Sequence, residues 1–389
     1  MSQSPLDLLD LDRSLTTEQK LIRGVVSDYV RDRIAPNISG WFENENIPTR
    51  ELAREMGELG LLGMHLEGYD CAGTDAVSYG LACLELEAAD SGLRSLVSVQ
   101  GSLAMYAIWA FGSEDQKLEW LPQMARGEKL GCFGLTESDF GSNPSGMRTH
   151  AKRDGSDWVL NGTKYWITNG TVSDVAIIWA QTDAGIQGFL VPTDTPGFTA
   201  KLIEHKLSLR ASHTAELVLD NVRLPDAAIL PNAKGLKAAL SCLNEARFGI
   251  VFGVVGAARN CLDTALSYSK SRVQFDRPIA GFQLTQAKLA SMATSLQTSY
   301  LLALHLGELK DAHVLTPTQI SVGKFNNAKA ALEIAREARS ILGGAGISLE
   351  YPVIRHMANL ESVVTYEGTH EIHTLVIGEA LTGIAAYRG

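Results

Sequence analysis

The pattern of apolar residues changes twice along the chain. Up to about residue 130, and again from residue 236, apolar residues recur every three to four positions, as they do on one face of a helix. The segment between is built of short runs rich in β-branched and aromatic residues, separated by turn sequences such as Asn161-Gly162. The sequence therefore predicts an α+β protein with a helical N-terminal domain (1–130), a middle antiparallel β domain (131–235) and a C-terminal four-helix-bundle-like domain (236–389).

Composition and charge exclude several classes of protein. A net charge of −10 without a basic cluster argues against nucleic-acid binding. The five cysteines are scattered and the nine histidines, including His370 and His373, lack convincing ligand spacing, so we expect reduced thiols and no metal. The first residues, Met1–Asp7, carry no leader pattern, and no apolar stretch looks long enough to span a bilayer. We expect a cytoplasmic protein that does not insert into membranes.

The strongest candidate for catalysis is Glu367, which lies in a loop-to-helix junction between Tyr366 and Gly368. Exclusion of water there would raise the pKa of the carboxyl group, and such a glutamate can act as a general base. Thr369 is a plausible N-cap for the last helix. The alternative is a capped helix start with a solvated glutamate.

Other stretches suggest ligand binding, and each has a plain structural alternative. Gly131–Pro144 could present N–H and hydroxyl groups to a phosphate or a flat ring, although it matches neither a Walker loop nor the dinucleotide glycine pattern. Trp166 and Thr168 could flank such a ring, and Arg272–Ile279 could clamp a pyrophosphate. Leu342–Gly346 reads as a helix end. Arg94 could bind a carboxylate, or could form a surface ion pair with Glu87 or Asp90.

Taken together and in this order, these stretches resemble the acyl-CoA dehydrogenase family over nearly the whole chain. Within the family, Asp90–Ser95, Ser98–Gln100, Gly131–Glu137 and Tyr366–His373 resemble the branch that acts on glutaryl-CoA. The resemblance implies the three-domain acyl-CoA dehydrogenase fold, with FAD bound between the β domain and the C-terminal helices.

The resemblance assigns a cofactor set. Four of its members, Arg272, Gln274, Phe275 and Gln283, would reach the FAD of a neighbouring subunit, which implies a homotetramer. The residues assigned to FAD are Phe133, Leu135, Thr136, Gly141, Ser142, Trp166, Ile167, Thr168, Arg272, Gln274, Phe275, Gln283, Gly343, Gly344, Thr369 and Glu371. Three positions depart from the family pattern near these contacts: Asn143 replaces a common Asp, Asp276 a usual Gly, and Ala345 a usual Asn.

The resemblance also assigns roles at the substrate. Glu367 would remove the α-proton of the thioester while the β-hydrogen leaves as hydride to the flavin, and its backbone N–H would polarise the thioester carbonyl. Arg94, with Ser95 and Glu87, would hold the far carboxylate of a glutaryl chain. The remaining predicted substrate contacts are Ser142, Leu243, Asn244, Arg247, Tyr366 and Gly368.

Three functions are then open. The favoured one is oxidation of glutaryl-CoA, followed by loss of CO2 to give crotonyl-CoA, with electrons passed to an electron-transferring flavoprotein. A second is a short-chain acyl-CoA dehydrogenase or an oxidase that acts on an uncharged acyl group, for which a buried unpaired Arg94 would be costly. The third is a non-catalytic flavin- or acyl-CoA-binding protein, which would have no need of Glu367 as a base.

Overall fold

The computed structural model describes residues 8–386. The predicted absence of a leader in Met1–Asp7 lies outside these residues. Within them the chain runs from helices to a sheet and back to helices, so the predicted architecture is confirmed.

The N-terminal part contains seven α-helices. The spacing of Thr16 and Gln19 predicts a capping box at the start of the first of them. The box is present, since each side chain accepts a hydrogen bond from the other's backbone N–H. The apolar pattern predicts one continuous helix from Leu96 to Phe111, but a π-helical segment, Val99–Met105, interrupts it, a form often found beside functional sites. The helices are α1 (Thr17–Tyr29), α2 (Ile38–Asn44), α3 (Thr49–Glu58), α4 (Ala76–Ala89), α5 (Ser91–Ser98), α6 (Tyr106–Phe111) and α7 (Glu114–Ala125).

The middle part is one seven-stranded sheet with an apolar core of its own. Its strands are β1 (Gly131–Gly134), β2 (His150–Asp154), β3 (Asp157–Thr168), β4 (Val175–Thr182), β5 (Gly185–Pro192), β6 (Phe198–Leu202) and β7 (Thr214–Pro225). The strand order is β1-β4-β2-β3-β7-β6, and β5 pairs with β4. Most pairs are antiparallel, as predicted, but β4 pairs in parallel with both β1 and β2, which the strand pattern did not indicate.

The C-terminal part is a bundle of long helices. The pair Thr316-Pro317 predicts an N-cap followed by a proline in the first turn of a helix. Thr316 does cap the third long helix of the bundle, and Pro317 opens it. The elements are α8 (Gly235–Ser271), the hairpin strands β8 (Val273–Gln274) and β9 (Arg277–Pro278), α9 (Gln283–Asp311), α10 (Pro317–Leu342), α11 (Val353–Val363) and α12 (His370–Thr382).

Helix α8 corrects one sequence prediction. Its 37 residues include an 18-residue window that is long and apolar enough to cross a membrane, so the expectation that no such stretch exists is wrong. The helix is apolar because it lies at the centre of the bundle: 67% of that window is buried inside the protein. Three glycines on α8, at 249, 253 and 256, let it approach α4, whose fourteen residues are all buried. Glu87 and Arg94, two of the predicted substrate contacts, lie beside Gly253 at this contact.

Candidate active site

The loop before α12 has an unusual backbone. Glu367 has φ 54° and Gly368 has φ 90°, so two successive residues lie in the left-handed region. Non-glycine residues in that region cost energy and are frequent at functional sites. Thr369 accepts a hydrogen bond from the N–H of Ile372, which confirms it as the N-cap of α12. The loop is therefore anchored at the start of the helix while Glu367 is held in a strained conformation.

Two positively charged side chains donate hydrogen bonds to the backbone of this loop. Arg247 on α8 donates from Nε to the carbonyl oxygen of Glu367 at 2.7 Å, and it also donates to the side chain of Asn244. Lys324 on α10 donates from Nζ to the carbonyl oxygens of Tyr366 and Gly368. Sequence reasoning predicted Arg247 but missed Lys324. The available signal was its position on the buried face of α10, four residues after Ile320 and four before Ala328.

The Glu367 carboxyl group is suited to proton transfer near neutral pH. Its Oε2 atom is buried and has no hydrogen-bond partner among residues 8–386. Burial raises the pKa of Glu367 to about 7, against the opposing positive charges of Arg247, Arg94 and Lys324. A carboxylate with a pKa in this range can take a proton and keep it through a reaction step. The structure thus favours the predicted base over the alternative of a solvated glutamate.

Arg94 lies directly beside this loop. It is 2% exposed, its Nε donates to Oε2 of Glu87 at 2.7 Å, and its Nη2 donates to the hydroxyl of Tyr366. Ser95 also faces the Tyr366 hydroxyl. The predicted alternative of a surface ion pair with Glu87 is wrong in one respect: the pair exists, but it is buried. A charge-assisted donor is therefore held next to the candidate base.

A second buried ion pair fixes the start of α5, which carries Arg94. Asp90 accepts a hydrogen bond from the N–H of Gly92 at 2.7 Å through one oxygen. Its other oxygen accepts from Arg355 at 3.0 Å and from Asn359 at 2.9 Å, both on α11. The sequence placed Asp90 near Arg94 but did not indicate these two partners, which lie more than 260 residues away along the chain.

Gly253 on α8 provides the space for the Glu87–Arg94 pair. A methyl group at this position would lie 2.1 Å from Oε2 of Glu87, so we expect Gly253→Ala to push Glu87 away from Arg94. The expected result is a loss of stability of about 1–3 kcal/mol, measured by thermal unfolding, because the buried helix contact cannot expand freely. Gly378→Ala on α12 is the matched control, since nothing lies within 4 Å of its added methyl group. Equal melting temperatures for the two variants would contradict this role of Gly253.

The predicted cofactor loop after β1 is fixed by a buried lysine. Lys164 donates from Nζ to the carbonyl oxygen of Leu135 at 3.1 Å and to Glu137 at 2.9 Å. Glu137 in turn accepts from the backbone N–H groups of Arg148 and Thr149. This network ties both ends of the loop to the sheet. Sequence reasoning missed both members of the ion pair, because a lysine in a strand is usually solvent-facing.

Trp166 projects from a bulge in the sheet. The pairing of β3 with β7 shifts register between Lys164 and Ile167, and Trp166 has φ 62°. A bulge re-aims a side chain, and here the indole is 57% exposed although it belongs to a central strand. The neighbouring Tyr165 donates its N–H to the carbonyl of Thr136 at 2.8 Å, which brings the bulge next to the cofactor loop. An exposed indole beside fixed hydroxyl and N–H groups fits a flat aromatic ring.

The other predicted cofactor residues divide into three groups by exposure. Phe133, Leu135 and Ile167 are buried, whereas Thr136, Thr168 and Thr369 are partly exposed. Gly141, Ser142, Gly343, Gly344 and Glu371 are exposed, as are all four residues predicted to reach a neighbouring subunit: Arg272, Gln274, Phe275 and Gln283. Phe275, at the tip of the β8–β9 hairpin, is 88% exposed. The ring of Phe275 therefore lies almost entirely on the surface of this chain.

The structure explains two of the departures from the family pattern. Asp276 has φ 61°, which is the left-handed conformation that glycine adopts freely and that aspartate tolerates better than most residues. Ala345 lies in the 3₁₀ turn Gly343–Ile347 and is partly exposed, so its short side chain is accommodated without a clash. For Asn143 nothing in the structure explains the change.

Of the predicted substrate contacts, the structure brings most into one cluster. Glu87, Arg94, Ser95, Arg247, Asn244, Tyr366, Glu367 and Gly368 are linked by the contacts above. Leu243 is partly buried on the same helix as Arg247, whereas Ser142 lies on the exposed loop after β1. The two histidines of this region have different surroundings. The ring of His370 stacks on that of Phe325, with 4.0 Å between the ring centroids. Burial lowers the pKa of His373 to about 3.

Comparison with known proteins gives a consistent result. Residues 16–128, 132–222 and 233–382 match the family models for the N-terminal, middle and C-terminal domains of acyl-CoA dehydrogenase. A glutaryl-CoA dehydrogenase from Mycobacterium smegmatis, solved in complex with FADH2, is 64% identical over 100% of both chains, with a TM-score of 0.98. A solved glutaryl-coenzyme A dehydrogenase–glutaryl-CoA complex is 32% identical, with a TM-score of 0.91, over 97% of this chain and 98% of that one. The human mitochondrial short-chain specific acyl-CoA dehydrogenase is 36% identical over 379 residues, 96% of this chain and 91% of that protein.

Proposed function

Because the chain belongs to the acyl-CoA dehydrogenase family, we propose that it oxidises glutaryl-CoA and that loss of CO2 follows to give crotonyl-CoA. The enzyme is an acyl-CoA dehydrogenase that uses FAD. The choice of glutaryl-CoA rests on one observation above all: the buried Arg94 guanidinium is in contact with Tyr366, the residue next to the base. A carboxylate at the far end of a short acyl chain would meet a positive charge there.

The site can accept such a carboxylate because the contacts of Arg94 with Glu87 and Tyr366 do not use all of its N–H donors. Its Nε donates to Glu87 and its Nη2 to the Tyr366 hydroxyl. The Nη1 atom takes no part in these two contacts and offers two further N–H donors. With Glu87 the guanidinium forms a pair without net charge, so the enzyme without substrate avoids the cost of an isolated buried charge. When the substrate binds, its carboxylate would gain hydrogen bonds from the guanidinium.

The proposed chemistry follows from the groups around Glu367. Its carboxylate takes the proton from the α-carbon of the thioester, and its backbone N–H donates to the thioester oxygen, where negative charge develops. FAD, which Leu135, Thr136 and Trp166 would hold, would supply the acceptor for the hydride that leaves the β-carbon. Loss of CO2 from the glutaconyl product leaves a dienolate, and the Glu367 carboxyl group returns the proton it took.

Three further features belong to the proposal. Electrons would pass to an electron-transferring flavoprotein. A homotetramer would cover the exposed Phe275, with Arg272, Gln274 and Gln283 around it, against a neighbouring subunit. A cytoplasmic location is supported by the five cysteines, all of which are free.

The main alternative is a short-chain enzyme for uncharged acyl groups. It is supported by the 36% identity to the human short-chain specific enzyme. Against it stands Arg94: an uncharged chain that ends at this buried guanidinium gains no hydrogen bond from it, whereas a carboxylate does. A non-catalytic binding protein is disfavoured because Glu367 combines burial, strain and a pKa near neutrality.

The proposal is tested by adding glutaryl-CoA to the FAD-loaded protein without oxygen. We expect the flavin absorbance to bleach, with crotonyl-CoA and CO2 as products. Accumulation of glutaconyl-CoA would retain the oxidation and remove the decarboxylation from the proposal. If butyryl-CoA bleaches the flavin and glutaryl-CoA does not, then the short-chain alternative is correct.

A further inference from the structure

The loop that carries the base rests on a lysine that takes no part in the chemistry described so far. Lys324 is 1% exposed and projects from α10 toward this loop. Its Nζ donates to the carbonyl oxygen of Tyr366 at 2.9 Å and to that of Gly368 at 2.7 Å. The buried Lys164, by contrast, is paired with the carboxylate of Glu137. Lys324 thus binds main-chain carbonyl groups on both sides of Glu367.

These contacts determine where the Glu367 N–H points. In a trans peptide unit the carbonyl and the N–H of the next residue point in opposite directions, and the described chain has no cis peptide bonds. The Tyr366 carbonyl points at Lys324, so the Glu367 N–H in the same peptide unit points away from it. Arg247 holds the next carbonyl, that of Glu367, in the same manner. These two contacts fix the orientations of both peptide units that join Tyr366, Glu367 and Gly368, and the bond from Lys324 to the Gly368 carbonyl fixes the unit that follows.

The left-handed conformation makes such support necessary. Glu367 at φ 54° is in a region that a residue with a Cβ atom avoids when nothing holds it there. Without Lys324, rotation of the Tyr366–Glu367 peptide unit would relieve this strain. That rotation would turn the N–H away from the thioester oxygen and would move the carboxylate with it.

We propose that Lys324 is a positioning residue: it holds the Tyr366–Glu367 peptide unit so that the Glu367 N–H stays aimed at the thioester oxygen and the carboxylate at the α-proton. This inference rests on the proposed function, since it assigns the geometry of the same reaction. It adds a residue on α10 to a site otherwise formed by α4, α5, α8 and the loop before α12.

The charge of Lys324 has a second effect on the base. The groups that face Glu367 are Arg94 on α5, Arg247 on α8 and Lys324 on α10, and all three lower the pKa of its carboxyl group. Lys324 itself faces Glu367, Arg247, Arg94 and Glu371, and His370 and His373 on α12 also lie close to it. Burial lowers the pKa of its ammonium group to about 7. Loss of the Lys324 charge would raise the pKa of Glu367. The acid limb of kcat/KM, which follows ionisation of the base, would then move to higher pH.

The test compares Lys324→Met with Lys324→Arg in the FAD-loaded enzyme. Met removes the charge and the donors at similar length, while Arg keeps both. For Lys324→Met we expect kcat per bound flavin to fall at least about tenfold with KM little changed, less than the roughly 10²–10³-fold cost of deleting an oxyanion donor. Lys324→Arg should recover part of the loss. Lys329→Met, an exposed lysine on the same helix, is the matched control and should behave as wild type.

A second readout isolates proton transfer. With the flavin chemically reduced no hydride can leave, so deuterium uptake at the α-carbon of glutaryl-CoA reports the base alone. We expect uptake to slow in Lys324→Met by a factor similar to that in kcat. If the variant loses flavin or folds poorly, Lys324→Gln, which keeps two N–H donors without charge, takes its place in both measurements.

Two results would overturn the inference. The first is an unchanged kcat per bound flavin in Lys324→Met with an unshifted acid limb. The second is a loss that only follows flavin content or melting temperature, which would assign Lys324 a purely structural role. Failure of the proposed function is distinguishable, because wild-type enzyme would then leave glutaryl-CoA unoxidised. The same variants would in that case be compared with butyryl-CoA, whose α-proton meets the same loop.

Discussion

Glu367→Gln is expected to lower kcat for glutaryl-CoA by roughly 10²–10⁴-fold, the range in which a general acid or base contributes, with FAD still bound. Glutamine has nearly the same shape and leaves the backbone N–H in place, but it cannot accept the α-proton. Stopped-flow measurement of flavin bleaching without oxygen gives the rate of the step directly. Glu361→Gln, an exposed carboxylate on α11, is the control and should react at the wild-type rate. A loss of only a few-fold in Glu367→Gln would remove Glu367 as the base.

The pH dependence of the wild type should follow the same group. Burial raises the pKa of Glu367 to about 7, and only the ionised form can take the proton. We therefore expect kcat/KM to rise with pH up to about 7 and then to level off. A kcat/KM that does not change between pH 5 and pH 8 would be the behaviour of a base with the pKa of an ordinary carboxylate, and it would contradict the raised pKa of Glu367.

Stability should change in the opposite direction from activity. The folded-state pKa of about 7 lies above the value of 4.5 for an unperturbed glutamate, so ionisation of Glu367 opposes folding. This penalty is fully present above pH 7, decreases as the pH falls, and is absent below about 4.5. We therefore expect Glu367→Gln to have a higher melting temperature than wild type at pH 8 and the same one at pH 4.5. This measurement needs no substrate, so it tests the burial of the base independently of the reaction.

The parts of the fold that depend on neighbouring residues could be predicted from the sequence. The capping box at Thr16, the N-cap and proline at Thr316, and the cap at Thr369 are each encoded within four residues, and all three are present. The parallel pairing of β1 with β4 was not predictable, because Gly131 and Val175 are brought together only by the folding of the strands between them. The apolar run of α8 was likewise misjudged, since a core helix and a spanning helix have similar compositions.

The sequence indicated which residues of the candidate site have chemical roles, but it did not indicate which residues hold them in place. Glu367 stood out as a polar residue beside Gly368 and Arg94 as one two positions after Gly92, and the resemblance assigned them roles. The residues that hold them, Lys324, Asp90 and Gly253, act through contacts that join distant parts of the chain. A buried lysine or aspartate looks in sequence like any surface charge, because its partners are visible only once the helices are packed.

Exchange of the Arg94–Glu87 pair for neutral side chains is expected to change which substrate the enzyme prefers. In Glu87→Gln/Arg94→Met both buried charges are removed together. The carboxylate of glutaryl-CoA then loses a hydrogen bond to a charged group, worth about 1.5–3 kcal/mol, which corresponds to roughly 10- to 150-fold in kcat/KM. Butyryl-CoA has no carboxylate to lose a partner, so its kcat/KM should stay level or rise.

The double variant is needed because Arg94→Met alone changes both substrate binding and the stability of the protein. Arg94→Met alone leaves Glu87 as a buried, unpaired carboxylate, and breaking a buried pair in this way destabilises a protein by about 3–5 kcal/mol. We expect a large fall in melting temperature for Arg94→Met and a smaller one for the double variant. The decisive quantity is the ratio of kcat/KM for glutaryl-CoA to that for butyryl-CoA, because a general loss of folded enzyme cancels in it. A ratio equal to that of wild type would mean that Arg94 supports the loop through Tyr366 without binding substrate, and the short-chain alternative would then describe this enzyme better.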